Sequence, residues 1–328
     1  MTEAIGELLA DSMGDELFDV RNSLIVGNFH QAIAEGNSAR TVLRKPEDIA
    51  AFNADRDALV ARAQIALGQH NAVIHDFKNA THPTHVAVRL WAETSRDIAS
   101  GGTGELHIQK LRDMISGEDV VAGKGDAAVI AIAALIHARD IPGALTLANR
   151  WISGLDSTHH QRVVIELRAL VADAYLRMNR PDLAEKEVTH MRGIDDESTL
   201  TLLMHGVVAL QLAAVKRDRY NEAVAQFQEV SSRCGQSVLI LNLLALAHMG
   251  RGAAAEAERC LMEAMAKKSG DGDTTANLVA VNAHSGKTMD SLQRHVTQAC
   301  NASSIWATNY VAMERRFQEA VSTFALQE

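Results

Sequence analysis

Hydrophobic positions along this chain recur with helical spacing. Residues 163–176 place apolar side chains at i, i+3 and i+4, the period of an amphipathic helix. Residues 237–249 are apolar nearly all round, which is typical of a helix packed on two sides. Residues 258–268 are amphipathic and end in two lysines, which suit a helix C-terminus, and about 303–326 predicts one closing helix. The pattern therefore predicts an all-α protein.

Turn residues divide the helical segments into a repeat. In five of the repeats an alanine lies five places after the turn residue, and in three of these an aromatic residue or Pro lies two places after it. The predicted turn residues are 34 to 41 positions apart: Gly27, Gly68, a site near Gly102, Arg139, Asn179, Asp218, Gly252 and Gly286. The alanines are Ala32, Ala144, Ala184, Ala223 and Ala257. This period is that of tetratricopeptide helical hairpins.

Physical chemistry explains these residue types. Glycine or asparagine tolerates the positive φ of a tight turn, and an alanine lets two helices cross closely. The step from Ala223 to Phe227 fits the second helix of the motif, and Tyr175 occupies the tyrosine place of the first helix. Tyr220, after its turn, is expected to fill the gap to the next repeat. We expect a curved α-solenoid of about eight hairpins, with one domain over 15–328 and a flexible extension over 1–14.

In such repeats the first helix of each pair lines the inner groove. Positions ten, six and three residues before the turn are expected to point inward, and most of them are apolar here. The candidate partner-binding residues are Val208, Leu212, Val215, Leu239, Asn242, Leu246 and Met249, and an earlier repeat contributes Val129, Ala133 and Ile136. One interpretation is that a partner segment, or the far end of the solenoid, fills this groove permanently. The other is that the frame is shifted by one and these residues are core.

Charge and composition restrict the function. The net charge of −9 and the lack of a basic stripe argue against nucleic-acid binding. No apolar run is long enough to span a bilayer, and the acidic N-terminus is unlike a targeting peptide. The three cysteines are too far apart for a disulfide framework or a zinc site. We expect a cytoplasmic protein.

Three local patterns suggest chemistry that the context argues against. HSGKT at 284–288 ends like a phosphate-binding loop, but Gly286 keeps the repeat frame and no strand precedes it. His75, His82 and His85 form the tightest histidine group, for which exposed loop positions are the alternative to a metal site. His159 and His160 follow Asp156 and Ser157, which could cap a helix, and no nucleophile elbow is present. We therefore expect no enzyme activity, cofactor or metal.

Three segments of the chain resemble one family, the epsilon subunit of coatomer. They are GDELFDVRNSLIVGNFHQAIAE, NRPDLAEKEVTHMRGIDDESTLTLL, and the segment from EVSSRCGQSVLILNLLALAHMGRG through AAAEAERCLMEAMAKKSGDGDTTANLVAV. The resemblance is weakest at about 80–160. It implies a non-enzymatic subunit of a vesicle coat that binds the C-terminal domain of the coatomer alpha subunit and, within the coat, other coatomer subunits.

The resemblance also implies a location and a role. The subunit would act in Golgi-to-endoplasmic-reticulum and intra-Golgi transport, and would reach Golgi membranes indirectly, through the coat. The alternative is a tetratricopeptide adaptor resembling a co-chaperone, which binds charged peptide tails. That alternative requires a basic groove, which the predicted inward positions do not provide.

Overall fold

The computed structural model describes residues 16–117, 120–302 and 305–325, so the predicted extension over 1–14 lies outside the described residues. Within the described ranges the chain forms seventeen α-helices and no strand. The first ten are α1 (Phe18–Ile25), α2 (Phe29–Ser38), α3 (Pro46–Ala66), α4 (His70–Asp76), α5 (Pro83–Ala99), α6 (Glu105–Ile115), α7 (Gly125–His137), α8 (Ile141–Gly154), α9 (Gln161–Arg177) and α10 (Pro181–Ile194). The other seven are α11 (Thr199–Leu212), α12 (Arg219–Cys234), α13 (Val238–Gly250), α14 (Ala254–Lys267), α15 (Gly272–His284), α16 (Met289–Asn301) and α17 (Ile305–Ala325).

The helices form eight successive hairpins, from α1/α2 to α15/α16, and α17 follows them. We call the odd-numbered helices A helices and the even-numbered ones B helices. Each A helix from α1 to α7 packs against its own B helix and against the next A helix, and α13 and α15 do the same. The all-α fold of tetratricopeptide-like hairpins predicted from the sequence is therefore confirmed, and this packing is that of an α-solenoid.

The described residues group into two compact units. Unit 1 ends at Met204 and unit 2 begins at His205, so the boundary falls inside α11. The largest core of unit 1 is built from α3 to α9 and includes the buried Trp151. The interpretation of residues 15–328 as one domain stays a prediction.

The turns between the helices of a hairpin have the expected backbone geometry in most repeats. The turn residue has a positive φ, between 57° and 87°, at Gly27, Gly68, Arg139, Asn179, Gly252 and Gly286. In the repeat near Gly102, Gly101 takes this role with φ of 86°. Asp218 differs, with φ of −60°, because α11 ends at Leu212 and a longer turn carries the change of direction.

Small residues let the helices of a repeat approach closely. The alanines of the repeat frame are at most 1% exposed: Ala32, Ala144, Ala184, Ala223 and Ala257. Phe227 is fully buried and its ring lies directly against Gly206, where a Cβ atom would collide with it. The Tyr220 ring packs in the same way on Gly250 in the next A helix. The aromatic residue thus fills the gap between neighbouring A and B helices, and Tyr175 is half-buried against the core of unit 1.

Residues 100–126, which include the GGTG and AGKGD stretches, contain more helix than such glycine-rich sequence suggests. GGTG is a loop, but α6 follows it, and Gly125 and Asp126 of AGKGD begin α7. The Cβ position of Gly125 lies 3.0 Å from a methyl group of Val163, so a larger side chain would push α9 away. Glycine at this place therefore serves close packing of two A helices rather than a loop.

Candidate partner-binding surfaces

The candidate residues of unit 2 differ widely in exposure. Val208 is 2% exposed and lies in the core, and Leu212 is half-buried at the end of α11. Val215 is 86% exposed, but it lies in the turn after α11 rather than on the helix. On α13, Leu239 is 42% exposed, whereas Leu246 and Met249 are half-buried. The residues open to a partner are therefore few.

Asn242, the polar member of the candidate set, is engaged inside unit 2. Its amide nitrogen donates to the Val238 carbonyl and to the Thr274 hydroxyl, both at 2.8 Å. Its amide oxygen accepts from Asn277 at 2.8 Å, and Thr274 also donates to Asp271. Because these bonds join α13 to α15, Asn242 holds two A helices together and has little left for a ligand.

The last helix carries the most exposed apolar surface of unit 2. Along α17, Tyr310, Met313, Phe317 and Phe324 follow one another at intervals of three, four and seven residues, which places them on one face. Met313, Phe317 and Phe324 are 67%, 65% and 73% exposed. Trp306 stacks on Tyr310, with ring centroids 4.9 Å apart, at the start of this face. An exposed apolar stripe of this length is typical of a protein interaction surface.

The A helices of unit 1 instead bring together a cluster of charged side chains. Arg162 on α9 donates to both carboxylate oxygens of Asp126 on α7, at 2.6 and 3.0 Å, and lies 3.3 Å from Glu166. Arg62 on α3 binds the other oxygen of Glu166 at 3.2 Å. The cluster links α3, α7 and α9. Its members Arg62, Asp126 and Arg162 line a small cleft together with Arg21, Asp55, Thr84 and Ile130.

Burial and pairing shift the titration of these groups in opposite directions. Burial raises the pKa of Asp55 above its ordinary value, and the neighbouring charge of Asp126 adds to the effect. Burial alone would also raise the pKa of Asp126, but the charge and hydrogen bonds of Arg162 hold it below the ordinary value. Burial would lower the pKa of Arg162, yet Asp126 and Glu166 raise it. The folded chain thus favours the ionised forms of Asp126 and Arg162 and disfavours the ionised form of Asp55.

Of this cluster only Arg62, six residues before Gly68, lies at one of the positions ten, six and three before the turn that predict the groove lining. Asp55, Asp126 and Glu166 each lie thirteen residues before a turn residue, one helical turn further back. At this position α3, α7 and α9 carry acids, whereas α5, between α3 and α7, carries Val88. The apolar lining at positions ten, six and three therefore stays a prediction, and one turn further back the burial of these carboxylates is balanced by arginines from other A helices.

The other sequence candidates have ordinary structural roles. The Lys287 ammonium of HSGKT binds Glu258 at 2.8 Å and Asn282 at 2.7 Å, in the hairpin turn at Gly286. His85 lies 3.1 Å from the Ala54 carbonyl, and over the described ranges no three His, Cys, Asp or Glu side chains are grouped to hold a metal.

Asp156 does not cap α9, so the expectation of a helix cap at this residue is wrong. It accepts hydrogen bonds from the Thr158 amide and from His159, which lower its pKa to about 2, and α9 begins later, at Gln161. The carboxylate thus stabilises the loop before the helix.

None of the helices that the structure describes is both long and apolar enough to cross a membrane.

Comparison with known proteins identifies relatives along almost the whole chain. The family model described as coatomer epsilon subunit matches residues 13–325. The chain is 34% identical over 288 residues to coatomer subunit epsilon-2 of Oryza sativa subsp. japonica, covering 87% of this chain and 88% of the relative. It is 31% identical over 313 residues to coatomer subunit epsilon-1 of Arabidopsis thaliana, covering 95% and 98%.

Solved structures with a similar fold are tetratricopeptide-like. The crystal structure of the APC/C hetero-tetramer Cut9-Hcn1 has a TM-score of 0.58 at 14% identity, over 87% of this chain and 52% of that one. A tetratricopeptide repeat protein from Parabacteroides merdae ATCC 43184 has a TM-score of 0.51 at 10% identity, over 84% and 94%. At these identities the likeness concerns the fold alone.

Proposed function

Because the chain belongs to the coatomer epsilon subunit family, we propose that it is a non-enzymatic structural subunit that binds the C-terminal domain of the coatomer alpha subunit, hereafter the alpha domain. In this role it supports Golgi-to-endoplasmic-reticulum and intra-Golgi transport. It is cytoplasmic and becomes peripheral on Golgi membranes and coated vesicles, with the other coatomer subunits and not its own helices providing membrane attachment. It takes no cofactor and no nucleic acid.

The observation that carries this proposal is the exposed apolar surface of unit 2. Leu239 on α13 and the stripe on α17 lie on A helices, and both are exposed to solvent. Exposure of apolar side chains to water is unfavourable. When a partner covers them, the free energy falls by about 25 cal/mol for each Å² of apolar surface that is buried. A permanent partner protein accounts for such a surface better than a transient peptide does.

The proposal is tested by placing a charge on this surface. Leu239→Asp and Phe317→Asp are each expected to weaken binding of the alpha domain by about 30-fold or more, because a carboxylate would be buried without a partner. Met262→Asp is the matched control. Met262 is 55% exposed, in the same unit, but on the B helix α14. Isothermal titration calorimetry measures the three affinities.

Two outcomes would contradict the proposal. If the wild-type chain does not bind the alpha domain, the partner assignment fails. If it binds and all three variants bind equally well, the contact lies elsewhere. Binding at high salt distinguishes the proposed function from the adaptor alternative. An apolar contact keeps its affinity in about 0.5 M salt, whereas a clamp that binds charged peptide tails loses affinity.

A further inference from the structure

Most of α17 stands clear of the rest of unit 2. The helix packs on α15 and α16, and Ala307 near its start is buried. Every residue from 311 to 324 is exposed, so no other part of the described chain covers this length, which we call the free segment. At 1.5 Å per residue it is about 21 Å long. A helix this short is marginal in water without packing, so it needs something to pack against.

The free segment has one apolar face. This face holds four large side chains at intervals of four, four and three residues: Met313, Phe317, Val321 and Phe324. With 3.6 residues per turn they lie within about 80° of one another. Val311, the other large apolar residue of the segment, lies about 120° from the middle of this face. Such spacing of anchors is that of an amphipathic helix bound in an apolar groove of its partner.

The charged residues of the free segment leave this face open. By their helical positions, Glu314 flanks one edge of the face and Arg316 the other, whereas Arg315 and Glu319 lie on the back. An apolar strip with a polar residue at each edge resembles the core and rim of a protein interface. A matching groove therefore has an apolar floor, with a cation near Glu314 and an anion near Arg316.

The free segment can enter a groove but cannot form one. A groove needs two adjacent elements, and an extended peptide that pairs with the backbone needs a strand edge. Because the described chain places no second helix beside the segment, the segment offers neither of these. The groove therefore belongs to the partner.

A second copy of the chain does not account for this face. On a scale of about 150–250 Å² for a whole aromatic side chain, the four partly exposed side chains offer roughly 500 Å² at most. A stable interface takes about 800 Å² from each partner. Two copies joined through their free segments would be held by too little surface. Under the proposed function, the alpha domain also covers Leu239 on α13 of the same unit, which enlarges the contact.

We propose that the free segment of α17 is a ligand helix that enters an apolar groove of the alpha domain. The inference rests on the proposed function for the identity of this partner. It reverses the roles expected from the repeat pattern, in which a partner segment fills the groove of the solenoid. Here the partner supplies the groove, and this chain supplies the helix that fills it.

The test compares Val321→Asp with Val311→Asp in the full chain. The two valines lie on one helix and are each 46% exposed, but only Val321 lies on the apolar face. For Val321→Asp we expect the affinity for the alpha domain, measured by isothermal titration calorimetry, to fall at least about tenfold, since a carboxylate would be buried in the groove. Val311→Asp should change it less than about twofold. Neither variant should shift the urea midpoint of the free chain.

Two further measurements test the helical form of the bound segment. Hydrogen exchange of the amides from 313 to 323 should slow at least about 100-fold when the alpha domain binds, because packing suppresses local opening. Ala320→Pro interrupts the helix but removes none of the four large side chains, and it should also lower the affinity at least about tenfold.

The readouts separate the possible failures. If the wild-type chain does not bind the alpha domain, both the proposed function and this inference are overturned. If the wild type binds and Val321→Asp binds no more weakly than Val311→Asp, only the inference is overturned. The same holds if exchange in the bound segment stays fast, if Val321→Asp lowers the urea midpoint, or if sedimentation shows a dimer of the free chain that Val321→Asp dissociates. Loss of affinity specific to Val321→Asp, with slowed exchange and a monomeric free chain, supports it.

Discussion

Units 1 and 2 join their A helices by different chemistry. Thirteen residues before the turn, α3, α7 and α9 of unit 1 carry Asp55, Asp126 and Glu166, whereas α13 and α15 of unit 2 carry Leu239 and Asp273. Unit 1 joins its A helices through arginine–carboxylate pairs, and unit 2 joins α13 to α15 through the Asn242 amide. The repeat geometry therefore brings A helices together in both units, and the choice of residue decides whether ion pairs or amide hydrogen bonds join them.

The largest effect on this comparison is expected from Arg162→Met. The variant leaves Asp126 and Glu166 partly buried without their shared guanidinium, and Met keeps much of the volume of the stem. We expect a loss of about 2–3 kcal/mol in the free energy of unfolding, below the value for fully buried pairs because Arg162 is 34% exposed. Urea denaturation, followed by hydrogen exchange of α7 and α9, measures it.

Arg177→Met is the control for Arg162→Met. Arg177 binds Asp173 at 2.8 Å on the same helix, but it is 54% exposed, so its loss should cost less than about 0.5 kcal/mol. Equal losses in the two variants would show that the cluster does not stabilise unit 1 more than an ordinary surface pair does.

A middle-sized effect is expected from Gly206→Ala, which tests aromatic packing in unit 2. The added Cβ would lie 2.8 Å from Cζ of the buried Phe227 ring, and the close approach of α11 and α12 would be lost. We expect a loss of about 1–3 kcal/mol from overpacking, measured as a lower urea midpoint. In contrast, Gly193→Ala on α10 has open space around its Cβ and should gain up to about 1 kcal/mol. A neutral Gly206→Ala variant would refute the packing role.

The smallest effect is the pH dependence of Asp55→Asn. The pKa of Asp55 is raised in the folded chain by burial and by Asp126, so its ionised form costs stability once the pH exceeds the unfolded value near 4. Below that pH the carboxyl is protonated in both states and the cost vanishes. The variant should therefore melt at most about 3 °C above wild type at pH 7 and show a smaller difference at about pH 3.5. A constant difference between the two pH values would contradict this titration.

Much of the fold follows from the sequence because its signals are local. A positive φ favours Gly or Asn, and the alanine five residues after each of several turns marks a helix crossing. Arginine has no intrinsic preference for a positive φ, so the positive φ of Arg139 is predicted only by its place in the repeat frame. Helix ends are less predictable. The repeat frame places Val215 on α11 although the helix stops three residues earlier, because the long turn that follows has no strong sequence signal.

The candidate surfaces are less predictable because they depend on neighbours distant in sequence. Asn242 is polar, as expected of a residue that lines a binding groove, but its side chain forms hydrogen bonds with Thr274 and Asn277 of the next A helix. Arg162 compensates Asp126 from the next repeat, and Arg62, 104 residues away, compensates Glu166. The closing helix is predicted over about 303–326, but its sequence alone does not tell that Phe317 and Phe324 remain uncovered.

The exposed stripe of α17 bears on the lifetime of this protein in the cell. Until the proposed partner binds it, a newly made chain displays aromatic side chains of the kind that chaperones and proteases recognise. Under the proposed function, surplus copies would be short-lived, and the supply of the alpha protein would set how many survive. Stoichiometry in the coat would then be balanced by turnover as well as by synthesis.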